Sequence, residues 1–355
     1  MALPFFNGAK LKDQTVSVDL GGRTTKAVQI QRKGSGFVLS SFALLDAPVY
    51  EKSLSPEMLG EHLKNVCQAL GLKSRSVTLA VSVGDSLMRH AEMPMMPVDD
   101  MRQILKINSK TYLQQELQGY VFDCHIFSAS LNQTANGGKT TGAVPKSKVL
   151  VAGAKRQFID ELQDGLKRAG LGTDAIVPGV IGPVNALELA MPDVFSQNNV
   201  ALVDIGFKSS SISVLQQGEL ILNRVVSIGG DRLTAGLAEA MNVSYAEAEG
   251  IKVGMPTEVQ AQLESLMMPL GRELRASIDF FEHQQEKTVS QVFVSGASAR
   301  SELMLQILQS EMSVECKSWN PAAAFELQLP PQQAGEFEHI APQLSVAIGA
   351  ALAVI

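Results

Sequence analysis

The sequence predicts an α/β fold built in about two units, and three observations support that expectation. The chain has 355 residues, a length that suits about two domains. Runs with the alternating period of strands are interleaved with runs at helical spacing along its whole length. The opening pattern of three strands is met again from Val200 onward.

Composition narrows the function classes. Hydrophobic residues make up 45% of the chain and charged residues 19%, which allows sizeable cores and excludes a disordered polymer. The net charge is −6 and no Lys/Arg cluster is present, so the basic footprint of a nucleic-acid-binding protein is missing. Cys67, Cys124 and Cys316 form no CxxC pair, and His62, His90, His125, His283 and His339 lack ligand spacing. Reduced thiols of a cytosolic protein are expected, not a disulfide set or a zinc site. The opening MALPFFNGAK is too short and too broken by proline for a signal peptide. The C-terminal run LSVAIGAALAVI covers twelve positions, against ~20 needed to cross a bilayer, and reads as a buried helix. A cytoplasmic protein is expected, with any membrane contact made through a partner.

The elements follow in order. Strands are expected at 15–20, 26–32 and 37–45. Ser55-Pro56 then opens a helix to Leu70, closed by Gly71. A strand at 76–83 precedes a separate unit, 85–127, with a helix over 99–117 and the strand YVFDCHIF. A polar loop over 132–148 leads into the strand KVLVAGAK and a helix over 156–169. The second half repeats the opening with strands at 200–205, 210–215 and 220–226. A helical stretch over 258–285 places Leu263, Leu266, Leu270, Leu274, Ile278 and Phe281 on one core-facing stripe. Pro269 should start or kink a segment there. The strand QVFVSG, a helix over 301–310 and the strand SVECKSW complete the half.

Chemistry concentrates at two hairpin tips, VDLGGRTTKAV and VDIGFKSSSIS. A turn of the form Asp-x-Gly-x-x-Thr/Ser aims several backbone N–H groups into one concavity, which suits phosphate oxygens. Thr24, Thr25, Ser209 and Ser210 can add hydroxyl hydrogen bonds, and Lys26 a positive charge. Asp19 and Asp204 would repel phosphate directly. They make sense if a Mg²⁺ that keeps its waters lies between them and the phosphates. One such hairpin is more often a plain turn; two, each opening a three-strand run, favour a clamp on a di- or triphosphate. Aligning Asp19 with Asp204 leaves the apolar residues of the return strands one position out of step, which fits either an old duplication or convergence. GGKTT (137–141) lacks the first glycine and the following helix of a Walker A loop, and GLGTDA (170–175) follows a helix instead of a strand, so neither is a nucleotide motif.

The two tips, together with SIGGDRLTAGLAEAMNVSYAEAEGIK, LGRELRASIDFFEHQ and VFVSGASAR, occur in the order of the actin-like ATPase superfamily. In detail they resemble the PilM family of type IV pilus assembly proteins, relatives of the cell-division protein FtsA. The resemblance implies an actin-like (ribonuclease H-like) two-lobed ATPase fold with a small inserted α+β subdomain. The first lobe would comprise 1–76 and 152–198, the insert 77–151, the second-lobe core 199–229 and 288–355, and its helical subdomain 230–287. Asp19, Gly21, Gly22, Thr24, Thr25 and Lys26 match the first phosphate loop, and Asp204, Gly206, Ser209 and Ser210 the second. Gly229, Gly230 and Asp231 match a ribose and phosphate turn, Glu249 and Lys252 lie near the nucleoside, and Gly296, Ala297 and Ser298 form the adenosine turn. ATP and Mg²⁺ are the implied cofactors, with Asp19 and Asp204 as the catalytic and metal-holding carboxylates.

This sequence departs from that pattern at three places. Gly22 stands where a hydroxyl is usual, Ala297 replaces a second glycine, and Val177 falls where a relative carries an acidic residue near the attacking water. ATP binding with slow or absent hydrolysis is therefore expected. The implied partner resembles PilN, an inner-membrane protein whose cytoplasmic N-terminal peptide docks between the first lobe and the insert. Met101, Ile104, Leu105, Ile107 and the stretch EMPMMP are candidates for the wall of that groove. The competing readings are a sugar kinase of the same fold and a pseudo-ATPase interaction module of a related secretion system.

Overall fold

The computed structural model describes residues 12–49, 54–71, 75–127, 145–312 and 314–355. The chain opens with β1 (Gln14–Asp19), β2 (Thr24–Lys33) and β3 (Gly36–Asp46), paired antiparallel with Asp19 opposite Lys26. The Ser55 hydroxyl accepts from the Met58 amide and caps the helix Pro56–Ala69, in which Pro56 fills a first-turn position that needs no N–H. Gly71, at φ +69°, ends it. β4 (Ser76–Val81) then joins β1 in parallel.

The insert follows as β5 (Ser86–Pro94), the helix Val98–Leu113, β6 (Tyr120–Ile126) and β7 (Lys146–Lys155). Its antiparallel sheet has the order β5-β7-β6, and the helix packs on it through fully buried Met101 and Leu105. The expected insert limits, 77–151, need correction. β4 belongs to the first-lobe sheet, and β7 continues to Lys155. The helix stops at Leu113, with Gln114 left-handed, and is interrupted at Asn108, whose side chain accepts from the Thr111 hydroxyl. Asn competes with helical backbone in this way. The GGKTT stretch lies outside the described residues.

After the helix Arg156–Ala169, β8 (Gly172–Pro178) pairs with β4. Two helices, Ile181–Ala190 and Pro192–Gln197, lead to the second lobe. There β9 (Asn199–Ile205), β10 (Ser210–Gln216) and β11 (Glu219–Val226) repeat the opening run, with Asp204 opposite Ser211. Both hairpins therefore share one pairing register, and the offset in their apolar residues is a matter of side-chain choice. Ala27 to Ile30 and Ile212 to Leu215 are all buried, and a sheet covered on both faces does not enforce alternation. Helices Gly230–Met241, Tyr245–Gly254 and Gln260–Gln285 follow. The last runs as one helix through Pro269, so the proline does not start a new segment. The ring removes one backbone bond, but Met267 and Leu270 on either side are fully buried and hold the helix.

β12 (Gln291–Gly296) and β13 (Cys316–Ser318) extend the second sheet to the order β11-β10-β9-β12-β13. β14 (Phe325–Leu327) instead pairs with β3, giving the first sheet the order β14-β3-β2-β1-β4-β8. The assignment of all of 288–355 to the second lobe is thus corrected: the end of the chain returns to the first. Its last helix, Ser345–Leu352, is buried along its whole length, as LSVAIGAALAVI suggested. That helix crosses Ile181–Ala190 at two glycines, where a Cβ on Gly349 would lie 1.7 Å from the Gly182 carbonyl oxygen. Asn185 donates to the Gly349 carbonyl at 3.0 Å. Core residues of both sheets, Val28 and Ile30 with Val200 and Leu202, belong to one apolar cluster around this crossing.

Gly349→Ala should therefore force the helices apart and destabilise the fold by about 1–3 kcal/mol. Urea unfolding of the two proteins measures this directly, and an unchanged midpoint would show that the crossing is not tight.

Candidate functional site

The hairpin tips of the two lobes face each other across a cleft of about 1560 Å³. Of the residues singled out from the sequence for the nucleotide site, all border it except Ser210, Gly229, Asp231 and Val177. Both tips fold back tightly on their own backbone. A Cβ at Gly21 would stand 2.3 Å from the Thr24 carbonyl oxygen, and one at Gly206 2.6 Å from that of Ser209, so glycine is required at both.

The charged centre is asymmetric. Lys26 Nζ donates to Asp19 Oδ2 at 2.9 Å. Burial pulls the Lys26 pKa down, but the Asp19 and Asp204 carboxylates more than offset this and hold it above the usual lysine value. Asp204 accepts from the Ser295 hydroxyl at 2.7 Å and the Ser345 hydroxyl at 3.4 Å. Burial pushes its pKa up, and the Ser295 hydrogen bond and Lys26 charge offset only part of that. Among the described ion pairs none joins a cation directly to Asp204. No group of three metal-ligating side chains occurs among the described residues. Two carboxylates of this kind suit a hard divalent cation that keeps most of its waters, not an all-protein cage.

Not every expected hydroxyl reaches the cleft. Thr25 shares a 2.8 Å hydrogen bond with His62 Nε2, and Ser210 donates to the Ile228 carbonyl at 2.6 Å. Successive strand residues point to opposite faces, so Thr25 and Ser210 turn inward where Thr24 and Ser209 do not. The Gly229 to Asp231 turn is likewise occupied. The Gly230 and Asp231 amides donate to the Gly206 and Phe207 carbonyls, both at 2.9 Å, and the Tyr245 hydroxyl donates to Asp231 at 2.8 Å. This turn splints the second tip.

At the cleft mouth Lys252 Nζ donates to Glu249 Oε2 and to the Thr234 hydroxyl, both at 2.6 Å, and the Thr234 hydroxyl also bonds Glu249. Arg23 Nη1 lies 3.3 Å from the same Glu249 oxygen. Burial works against the Glu249 charge, but these partners hold its pKa below the usual carboxylate value; for Lys252 burial wins and the pKa falls. On the other side Gly296 takes φ +91°, and a Cβ there would stand 2.2 Å from the Ile205 carbonyl oxygen. Ala297 is exposed at the rim, with Ser298 half-buried beside it.

Val177 is corrected. It is 2% exposed within the core beside Ala80, and its segment meets the cleft at Gly179. A glutamate at Val177 would be buried, not aimed at a water. Sequence reasoning missed Arg23, Phe207, Thr234 and Ser295. Ser295 faces Asp204 because β12 pairs with β9 in that register, a long-range relation with no local signal. Asp85, in the turn after β4, also borders the cleft; burial raises its pKa and the Lys208 charge offsets part of the rise.

The raised Asp204 pKa fixes the sign of a pH effect. In the window above the ordinary carboxylate value the folded chain holds a proton that the unfolded chain has lost, so this group's contribution to stability falls as pH rises through the window. Asp204→Asn removes that fall. Unfolding free energies measured from pH 4 to 7 should show the variant gaining on the wild type as pH increases.

A family model described as type IV pilus assembly protein PilM matches residues 17–354. The cell division protein FtsA of Bacillus subtilis (strain 168) is 27% identical over 139 residues, 31% of this chain and 32% of that protein. That match thus spans about a third of the relative's length. Among solved structures, the PilM-PilN type IV pilus biogenesis complex superimposes with a TM-score of 0.82 at 20% identity, covering 98% of this chain and 100% of that one. MreB 5 of Spiroplasma citri bound to AMPPNP superimposes with a TM-score of 0.52 at 9% identity, covering 96% and 95%. The fold is accordingly actin-like, two lobes with an inserted subdomain. No helix among the described residues is long and apolar enough to cross a membrane. With its family model matched from residue 17 to residue 354, the chain belongs to the PilM family of type IV pilus assembly proteins.

Proposed function

We propose that the chain is an ATP-binding scaffold of type IV pilus assembly whose nucleotide state tunes its hold on a PilN-like inner-membrane protein. The observation that carries the nucleotide part is the pair of glycine tips in one register, facing each other with Lys26 bonded to Asp19 and within the field of Asp204. Thr24, Ser209 and the tip amides would bind phosphate oxygens. Mg²⁺ would neutralise Asp204, whose buried charge lacks a directly bonded cation, and would polarise the phosphates when bound. The segment at Gly179 offers no side chain to orient water, so turnover is slow. A sugar kinase is the weaker reading, because it needs a carboxylate base at that place and the family match points to assembly.

The partner reading rests on a second cavity. A groove of about 680 Å³ lies between Gln118, Gly119, Tyr120 and Lys155 of the insert and Pro56, Arg156, Gln157, Asp160, Glu161 and Asp164 of the first lobe. It has the position in which the family resemblance places the N-terminal peptide of PilN. The methionine-rich wall expected from the sequence does not line it. Met93, Met101 and Leu105 are fully buried in the insert core, Ile104 is half-buried, and Ile107 is largely exposed, at 88%. In this reading the chain sits at the inner face of the membrane through its partner.

Three outcomes test the proposal. Lys26→Ala should weaken binding of a fluorescent ATP analogue with Mg²⁺ by about 1.5–3 kcal/mol, the range of a hydrogen bond to a charged group; wild-type affinity in both this variant and Asp204→Ala would refute the clamp. Steady-state phosphate release should stay far below the enzyme median of ~10 s⁻¹. A labelled cytoplasmic N-terminal peptide of the neighbouring pilus membrane protein should bind about tenfold more weakly to Tyr120→Ala/Asp160→Lys, with nucleotide binding retained as the control for folding. Equal peptide affinity would place the partner elsewhere.

A further inference from the structure

Arg23 is a first-lobe residue whose side chain reaches across the cleft mouth to the second lobe at two separate points. Its guanidinium lies 3.3 Å from Glu249 Oε2 and 5.8 Å from the centre of the Phe207 ring. Its own backbone is anchored in the first lobe, where its carbonyl accepts from the Ala47 amide at 2.8 Å. The Phe207 ring also packs close to the first tip: a Cβ on Gly22 would meet it at 3.4 Å, an ordinary van der Waals contact.

We propose that Arg23 is a latch that ties the two lobes together at the mouth of the cleft by holding Glu249 and Phe207. The floor of the cleft is fixed by the glycine crossing of Gly182 and Gly349, so contacts at the mouth set how far the lobes part. Arg23, Lys252 and Thr234 all converge on Oε2 of Glu249. A nucleoside hydroxyl donating to that carboxylate would draw on the same charge and weaken the Arg23 pair. Entry of the ligand and release of the latch are then one event. This extension rests on the nucleotide reading given above, whereas the latch itself rests only on contacts between residues of the two lobes.

Hydrogen exchange on wild-type protein and Arg23→Ala without nucleotide, followed by titration of each with a fluorescent ATP analogue and Mg²⁺, tests the proposal. The side chain is half-exposed, so the variant should keep a cooperative thermal transition. Exchange at residues 20–24 and 206–209 should quicken, and the nucleotide should bind up to about fivefold more tightly, the combined scale of a surface ion pair and an exposed cation–π contact. Phe207→Leu should reproduce a smaller part of both effects. Unchanged exchange at both tips overturns the latch whatever the nucleotide does. Weaker nucleotide binding by Arg23→Ala also overturns it, since the guanidinium would then be a phosphate ligand. Quickened exchange with no nucleotide binding by either protein supports the latch and defeats the nucleotide reading instead.

Discussion

The close crossing of Ile181–Ala190 and Ser345–Leu352 is the constraint on which the rest of the structure depends. Without side chains at Gly182 and Gly349 the two backbones come into contact, and the cores of both lobes merge behind the cleft. Protein interiors are packed as densely as organic crystals, so such a joint transmits displacement from one lobe to the other with little slack. It also places Ser345, at the start of the last helix, beside Asp204. The end of the chain therefore serves the site twice, as the floor of the cleft and as a hydrogen-bond partner of the Asp204 carboxylate.

The electrostatic design above that floor is unbalanced. Asp19 has its cation in Lys26, whereas Asp204 is left with two hydroxyls and a distant share of the same charge. A buried carboxylate held in this way costs stability in its ionised form. Sites of binding and catalysis are where such costs gather, because a ligand or metal that neutralises the charge then binds with additional advantage. The tip glycines and the splint from the Gly229 to Asp231 turn fix the surrounding backbone, so the cavity is shaped before anything enters it.

The insert gives this two-lobed machine a second surface. It grows from the turn after β4, which borders the cleft, and returns through β7 into the helix Arg156–Ala169, which borders both the cleft and the groove beside Tyr120. On its far side His90 bonds the Leu220 carbonyl of the second lobe at 2.8 Å, with the ring stacked on Phe127. The helix Arg156–Ala169 thus joins the two cavities in a chain that belongs to a family of type IV pilus assembly proteins.

The sequence by itself determined what depends on near neighbours. Ser55, Pro56 and Gly71 bound their helix because capping is local chemistry, and the two Asp-x-Gly tips announced themselves because a tight turn needs glycine within a few residues of its hydroxyl. The order of the longer motifs was enough to identify the fold and the two tips that form part of the cleft's lining. Tertiary structure alone decided which side chains face the cleft. Thr25 and Ser210 look equivalent to their neighbours in sequence but turn to His62 and Ile228 once the sheet is covered on both sides. Val177 belongs to the core because β8 lies against β4, and β14 belongs to the first lobe because it pairs with β3 across some three hundred residues of chain. Arg23 could not be read at all, since Glu249 and Phe207 come within its reach only when the lobes close on a shared floor. Contacts of this kind are set by pairings between distant segments, and a local pattern holds no record of its partner.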